Sequence, residues 1–216
     1  PSVIDIGGSL SAADPNTPTA NNIPSYETRI ETSEYTVILQ DTTWTGTINL
    51  DGTVQVAEGV TLTISKGSTV NGNSNGTSRI DVWGSLIVDG QAGTVVNIND
   101  VDIDIGNDDH TKSASIDIDF AHIKGGSLAA GWGRGVVSLT DSWIDTWDPY
   151  TKVQWPTSDW TIARNVFKDI KGFQIWTSKG TNTGGTVSFE NNLLLYACGQ
   201  NNYTLATHLI KNYKKE

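Results

Sequence analysis

The sequence predicts an all-β fold in which short parallel strands stack coil upon coil as a single solenoid. Three observations predict it: a repeat of roughly 20 to 27 residues, alternation of apolar and small polar residues, and few windows with a 3.6-residue period. A chain of 216 residues is long enough for one domain, or for one domain and an arm.

The repeat is clearest in five eight-residue segments that align without gaps. The segments begin at Val96, Ile116, Val137, Trp160 and Val187, and their first, third and eighth positions are all apolar. A period of this size matches one coil of a solenoid and is too short for a propeller blade. The sixth position reads Val101, Ala121, Ser142, Asn165 and Asn192. The two successive asparagines predict a short amide ladder at a bend.

The part of the chain before residue 91 shows strands between glycine-containing turns. Residues 44–50, 54–64 and 80–88 alternate apolar with small polar side chains, which predicts strands buried on one face. A β-sandwich would need hairpin turns, and the Asn-Gly and Asp-Gly pairs all precede residue 91. A calcium β-roll would need tandem Gly-Gly-x-Gly-x-Asp repeats, which the sequence lacks. A small sandwich-like or antiparallel cap remains open for the N-terminal half.

These same segments carry a resemblance to a known superfamily. Residues 44–50, 54–70 and 80–90 resemble the opening coils of right-handed parallel β-helix repeat proteins. That superfamily includes pectate-lyase-like enzymes, phage tailspikes and bacterial surface proteins. The resemblance covers about residues 36–200 and implies a single-stranded right-handed parallel β-helix. It specifies an architecture and no particular activity.

We divide the chain into three parts. Residues 1–35 are predicted to be an extended N-terminal arm or attachment segment, because residues 12–24 hold three of the six prolines and almost no large apolar side chain. Residues 36–200 form the predicted parallel β-helix. Residues 201–216 are predicted to be a C-terminal cap, since an open solenoid end must be covered.

The charge and the single cysteine exclude several classes of function. A net charge of −10 repels phosphate backbones and anionic lipid, so we expect no binding to nucleic acid or to a membrane. Cys198 has no partner for an internal disulfide, and we expect it in the core. No signal peptide precedes Pro1, so either one has been cleaved or Pro1 follows a removed initiator methionine.

Carboxylates form the first candidate site. Asp102 and Asp104 alternate with apolar residues, so both are expected to point outward, and the aligned frame places Asp117 beside Asn97 and Asp119 beside Asn99. If the protein is an enzyme, its predicted catalytic residues are Asp102, Asp104, Asp117 and Asp119. The candidate ligands for Ca²⁺, the one cofactor considered, are Asp102, Asp104, Asp108 and Asp109.

The alternative is that these carboxylates form a solvated face that blocks edge pairing, and we favour it because nothing in the sequence marks one of them for a raised pKa. In the enzymes of the superfamily an arginine often lies near the catalytic groove. Here that arginine could only be Arg134 or Arg164, and neither lies in a recognisable lyase signature.

Aromatic residues form the second candidate site. Exposed rings can stack on sugars or anchor a protein interface, whereas the competing explanation is that long loops pack back onto the coil. The predicted ligand-binding residues are Trp132, Trp143, Trp147, Tyr150, Trp155 and Trp176. Trp160 is expected in the core.

Three functions fit these features, and we rank them in this order. The first is a non-enzymatic structural or recognition protein displayed on a phage particle, attached to other virion proteins through the N-terminal arm and contacting host glycan. The second is an extracellular adhesin on a bacterial surface that binds glycan without cleaving it. The third is a polysaccharide lyase or glycosidase that uses the outward carboxylates. A homo-oligomer is compatible with all three.

Overall fold

The structure is a computed structural model of the chain. It describes residues 28–30, 35–73, 76, 78–105, 114–130, 135–146, 152–154, 159–170, 174–176 and 185–195, and for 28–30, 130, 152–154 and 174–176 it describes the backbone alone. The described residues form 22 strands in three sheets, and every strand pair between these strands is parallel. Every third strand belongs to the same sheet, so each coil contributes one strand to each sheet.

Sheet A has eight strands: β1 (Thr28–Ile30), β4 (Thr47–Leu50), β7 (Thr69–Asn71), β10 (Val96–Asn99), β13 (Ala121–Lys124), β16 (Trp143–Asp145), β19 (Val166–Lys168) and β22 (Leu193–Leu195). Sheet B has seven: β2 (Tyr35–Ile38), β5 (Thr53–Val56), β8 (Arg79–Val82), β11 (Asp102–Ile105), β14 (Leu128–Ala130), β17 (Lys152–Gln154) and β20 (Gln174–Trp176). Sheet C also has seven: β3 (Thr42–Trp44), β6 (Thr61–Ser65), β9 (Ser85–Asp89), β12 (Ala114–Asp119), β15 (Gly135–Thr140), β18 (Trp160–Ala163) and β21 (Val187–Glu190).

This topology confirms the predicted all-β parallel solenoid. The coils before residue 91 are parallel like the later ones, so a sandwich-like or antiparallel cap is excluded for residues 35–90. The first strand, β1, lies within the segment that we predicted to be an arm, and it pairs with β4. Within the described part of the chain, no helix is long and apolar enough to cross a membrane. The handedness of the coil stays a prediction, consistent with the strong general preference for right-handed crossovers between parallel strands.

The core is a set of apolar columns that run along the stack. In each strand alternate residues point inward, and the inward positions are almost all Val, Ile, Leu or an aromatic residue. One column per sheet illustrates this: Ile48, Val70, Ile98, Ile123, Ile144 and Phe167 in sheet A; Val54, Ile80, Ile103 and Leu128 in sheet B; Leu62, Leu86, Ile116, Val137 and Trp160 in sheet C. Burying each such side chain stabilises the fold by about 1.5–3 kcal/mol.

The corners between sheets are made by residues in the left-handed backbone region. Between sheets C and A these residues are Phe120, Asp141, Arg164 and Asn191, with φ from 47° to 60°. Between sheets A and B they are Asp100, Gly125, Thr146 and Asp169. The next residue, Gly126 (φ 63°), is also left-handed, and glycine is required there for a second reason, since a Cβ would lie 2.0 Å from the Val101 carbonyl oxygen. One or two left-handed residues thus turn the chain at these corners.

Four of the five aligned repeat segments have the register that the sequence predicts. Ile116 pairs with Val137, Val137 with Trp160, and Trp160 with Val187 in sheet C. Ile123, Ile144, Phe167 and Leu194 form the matching column of sheet A. Trp160 is buried, as expected.

The frame of the fifth segment is wrong. Val96 lies in sheet A and pairs with Ala121, whereas the partner of Ile116 is Leu86. Asp117 therefore lies beside Ile87 instead of Asn97, and Asp119 lies beside Asp89 instead of Asn99. The cause is the corner between β9 and β10, which runs over residues 90–95 and holds a small Gln91–Thr94 bridge, whereas one or two residues make the later corners. An alignment without gaps cannot accommodate the additional residues of this corner.

The predicted amide ladder is confirmed at the corner between sheets C and A. Asn165 Nδ2 donates to Asn192 Oδ1 (3.0 Å) and to the Leu139 carbonyl (2.8 Å). Asn165 Oδ1 accepts from the Ser142 backbone N–H (2.9 Å), and Ser142 Oγ accepts from the Ala121 N–H (3.0 Å). Four successive coils are joined through this ladder. Cys198 and the predicted cap 201–216 lie outside the described residues.

Candidate functional site

The four carboxylates predicted to be catalytic lie on two different sheets. Asp102 and Asp104 stand on the outer face of β11 in sheet B, alternating with the buried Ile103 and Ile105 as predicted. Asp117 and Asp119 stand on the outer face of β12 in sheet C. Asp108 and Asp109 lie outside the described residues.

Sheet B gathers carboxylates around one arginine that the sequence reasoning missed. Arg79 on β8 forms ion pairs with Asp81 on the same strand and with Asp104 one coil later. Asp102 is the register neighbour of Arg79. The expectation that only Arg134 or Arg164 could accompany these carboxylates was therefore wrong. Arg79 is one coil earlier in the same column, and the misplaced frame of the fifth segment hid it.

Burial and charge act in opposite directions on Asp81. Its partly buried position raises the pKa of the carboxyl, and the neighbouring Arg79 lowers it, with burial the larger effect. Burial and the charge of Asp81 also raise the pKa of Tyr35, whose hydroxyl donates to Gln55 Oε1 in the next coil. Asp102 Oδ1 accepts from Ser127 Oγ (2.7 Å), and Ser127 is only 8% exposed. Polar contacts therefore join neighbouring coils at several places on sheet B.

Several carboxylates of sheet C and its corners are also partnered. Asp119 Oδ1 accepts from Thr140 Oγ1 (2.8 Å). Asp141 forms a two-pronged contact with Arg164, and the hydrogen bonds of that guanidinium lower the pKa of the carboxyl. The backbone N–H and hydroxyl of Thr186 likewise lower the pKa of Asp159. Among the described residues, no three His, Cys, Asp or Glu side chains form a group that could hold a metal ion.

The outer face of sheet A differs from the other two. One of its outward columns begins as an asparagine ladder, in which Asn71 Nδ2 donates to Asn49 Oδ1 (3.1 Å) and Asn99 Nδ2 donates to Asn71 Oδ1 (2.9 Å). The same column continues through Lys124, Asp145 and Lys168. Lys168 Nζ lies 3.7 Å from Asp145 Oδ2. The column therefore changes from amides to alternating charges along the solenoid.

The neighbouring column of sheet A changes from polar to apolar. It runs through Thr47, Thr69, Asn97, His122, Trp143, Val166 and Leu193. Trp143 is 41% exposed and Leu193 is 53% exposed. The ring of His122 packs edge-on against Trp143, with 6.4 Å between ring centroids and 80° between ring planes. Trp143 is thus an exposed aromatic ring on a flat sheet, held by a neighbour.

Trp143 alone among the predicted ligand-binding aromatics has a described side chain. Trp176 lies in β20 of sheet B, where the structure describes its backbone. Trp132, Trp147, Tyr150 and Trp155 lie outside the described residues. The repeat predicted that Trp143 projects outward or into a corner, and the structure places it outward on β16.

Two functional features escaped the sequence reasoning, and one of them left a signal. The strands of residues 79–82 and 102–105 read Arg-Ile-Asp-Val and Asp-Ile-Asp-Ile, which would have aligned Arg79 with Asp102 directly. The apolar column of Trp143, Val166 and Leu193 follows from the seventh position of the repeat. The segment that begins at Val96 placed Asp102 at that position, although Asp102 belongs to sheet B and the other members belong to sheet A.

Comparison with known proteins yields no relative: no protein family, no curated protein and no solved structure matches this chain.

Proposed function

We propose that this protein is a non-enzymatic structural and recognition solenoid displayed on a phage particle. The observation that carries the non-enzymatic part is the arrangement of the carboxylates. Asp102 and Asp104 face outward from sheet B and Asp117 and Asp119 from sheet C, so the four predicted catalytic carboxylates cannot act together on one glycosidic bond. A catalytic pair on a single sheet is disfavoured by the partners of its carboxylates.

The partners of the carboxylates support the same proposal. Arg79 forms ion pairs with Asp81 and Asp104, Ser127 donates to Asp102, and Thr140 donates to Asp119. A general acid needs a carboxyl held protonated near neutral pH, and a nucleophile needs an open approach. Polar contacts between successive coils serve a different purpose, because they make the outer faces of the sheets rigid. Such faces suit a protein whose task is to hold a rigid shape and present a surface.

The phage setting is the part of the proposal that rests on sequence. The proline-rich residues 12–24 suit an arm that docks on a shell or a tail, and the acidic solenoid would then project from the particle. We expect quantitative mass spectrometry of purified virions to detect the protein at a fixed number of copies per capsid. A chain found instead on bacterial cell surfaces and absent from particles would support the adhesin alternative and contradict the phage setting.

The enzyme alternative has its own test. The purified chain should release no new reducing ends and no unsaturated products from neutral or acidic polysaccharides. Cleavage that is lost in Asp102→Asn or Asp104→Asn, and retained in the matched variant Asp117→Asn, would overturn the non-enzymatic proposal and assign catalysis to sheet B.

A further inference from the structure

The last coils of sheet A carry a surface that differs from every other described face. We define the sheet A strip as two adjacent columns: the apolar column of Trp143, Val166 and Leu193, and the polar column of Lys124, Asp145 and Lys168. The columns stand two residues apart and overlap on β16 and β19, while Lys124 lies on the preceding strand β13 and Leu193 on the following strand β22. An apolar platform and a row of hydrogen-bonding groups therefore run side by side over two strands along the solenoid axis.

The charge of the strip is unusual for this protein. The strands of sheet A contain three basic residues and one acidic residue, those of sheet B two and three, and those of sheet C none and four. In a chain of net charge −10, sheet A is the face that least repels a ligand or partner. Asp145 lies between the two lysines of the polar column, which disfavours a polyanion there.

The size of the strip favours a thin ligand over a protein. Its apolar column spans three strands, and strands lie about 4.8 Å apart, so the platform is roughly 10 Å from the first strand to the third. A stable protein–protein interface buries about 800 Å² on each partner, which this platform cannot supply. A narrow chain that runs along the solenoid axis fits its dimensions.

The repeat distance is compatible with a polysaccharide ligand. The spacing of about 4.8 Å between coils is close to the length of one hexose ring along an extended polysaccharide, so successive rings would meet successive strands. The face of a pyranose ring is apolar and stacks on an exposed indole, while its hydroxyls donate and accept hydrogen bonds at the rim. Trp143 with Val166 and Leu193 supplies the platform, and Lys124, Asp145 and Lys168 supply alternating donors and acceptors.

We infer that the sheet A strip binds an extended, uncharged hexose polysaccharide along the solenoid axis, with Trp143 stacked on a pyranose ring. This inference rests on the recognition role proposed above and gives it a site and a ligand class. The edge-on contact with His122 holds the indole in place before binding, which lowers the ordering cost on binding.

The test is binding of the full chain to immobilised neutral hexose oligosaccharides of gluco, galacto and manno configuration, beside sialylated and uronate-containing glycans. We expect binding to at least one neutral series. We also expect at least about a tenfold loss of affinity in Trp143→Ala and partial retention in Trp143→Phe, because one central aromatic residue carries most of the contact. Tyr35→Ala is the matched control, since Tyr35 is a comparably exposed aromatic residue on sheet B, and its affinity should stay within about twofold of the parent.

Several outcomes would overturn the inference. These are the absence of binding to any neutral series, binding confined to acidic glycans, and equal losses in Trp143→Ala and Tyr35→Ala. Sedimentation would reveal another occupant if the parent chain self-associates and Trp143→Ala does not. Thermal melting of each variant shows that it is folded. Virion mass spectrometry tests the phage setting separately, so glycan binding by a chain that is absent from particles would refute the setting and leave the site standing.

Discussion

Two asparagine ladders in this protein have the same chemistry and different surroundings. The inner ladder, Asn165 and Asn192, lies at the corner between sheets C and A, where Asn165 is 1% exposed. The outer ladder, Asn49, Asn71 and Asn99, lies half-buried on the face of sheet A. Both repeat one amide per coil, and the inner ladder satisfies backbone groups that lie in a buried corner. From this difference we expect burial to decide how much a polar ladder stabilises a solenoid.

The largest effect is expected from Asn165→Ala. The change removes the side-chain donor of the Leu139 carbonyl and the acceptor of the Ser142 N–H in the buried corner. Asn192 loses one hydrogen bond and keeps those to the Asn165 N–H and the Ile162 carbonyl. Unsatisfied buried groups are costly, so we expect a loss of about 2–4 kcal/mol in the free energy of unfolding. Urea denaturation measures it. A loss as small as that of the outer-ladder variant below would show that burial does not govern these ladders.

The second largest effect is expected from Arg79→Gln on sheet B. The change leaves Asp81 and Asp104 close together with no cation between them, and we expect a loss of about 1–2 kcal/mol at pH 7. Burial already raises the pKa of Asp81, and removing Arg79 raises that pKa further. A carboxyl with a raised pKa favours the folded state when protonated, so the loss should shrink as the pH falls through the raised pKa toward about 3.9.

Denaturation curves of the parent and the variant at several pH values from 7 to about 4 would follow this change. Arg79→Lys is the matched control, since it keeps the charge and loses the fork that contacts two carboxylates. A deficit that grows on acidification would contradict the assignment of Asp81 as the group with a raised pKa.

A smaller effect is expected from Asn71→Ala in the outer ladder. Its two side-chain hydrogen bonds join half-buried amides that water can replace. We expect a loss of about 0.5 kcal/mol, several times less than for Asn165→Ala under the same conditions. If the two variants were equally destabilised, the outer face would have to be as dry as the corner.

The smallest effect is expected from Arg164→Gln. Arg164 and Asp141 form an exposed pair at a corner, and such pairs contribute little at neutral pH. The hydrogen bonds of Arg164 lower the pKa of Asp141, so the contribution of the pair is present above the ordinary Asp pKa and is lost as the pH falls through the lowered value. The melting temperature at pH 7 should not change measurably. A drop as large as that of Arg79→Gln would remove the distinction between the partly buried ion pairs of sheet B and this more exposed pair.

The repeat columns explain how much of the fold the sequence could predict. Inward positions must be apolar in every coil. Residue type alone therefore predicts the register of Ile116, Val137, Trp160 and Val187. Residue type does not predict the length of a corner in this way, because a left-handed turn residue can be Phe, Asp, Arg or Asn. The six-residue corner at 90–95 therefore displaced the frame, and with it the neighbours of Asp117 and Asp119.

The candidate sites were less predictable than the core, since an outward side chain is constrained only by its neighbours in adjacent coils. The partners of Asp102 and Asp104 became visible once β8 and β11 were placed side by side. The exposed column of Trp143, Val166 and Leu193 follows from the register of β16, β19 and β22, which the aligned repeat predicted correctly. The wrong frame of the fifth segment affected the other feature, because it assigned Asp102 to the column of Trp143 instead of that of Arg79.

Disulfide trapping of the strand register tests the central claim most directly. In a Cys198→Ser background, Ser85→Cys with Ser115→Cys should form a disulfide in high yield under mild oxidation, because the two hydroxyls lie 2.8 Å apart on paired strands. The pair Asn97→Cys with Asp117→Cys, which the gapless alignment would place side by side, should stay reduced, since these residues belong to different sheets. Efficient closure of the second pair and failure of the first would contradict the coil register on which both the carboxylate network and the sheet A strip depend.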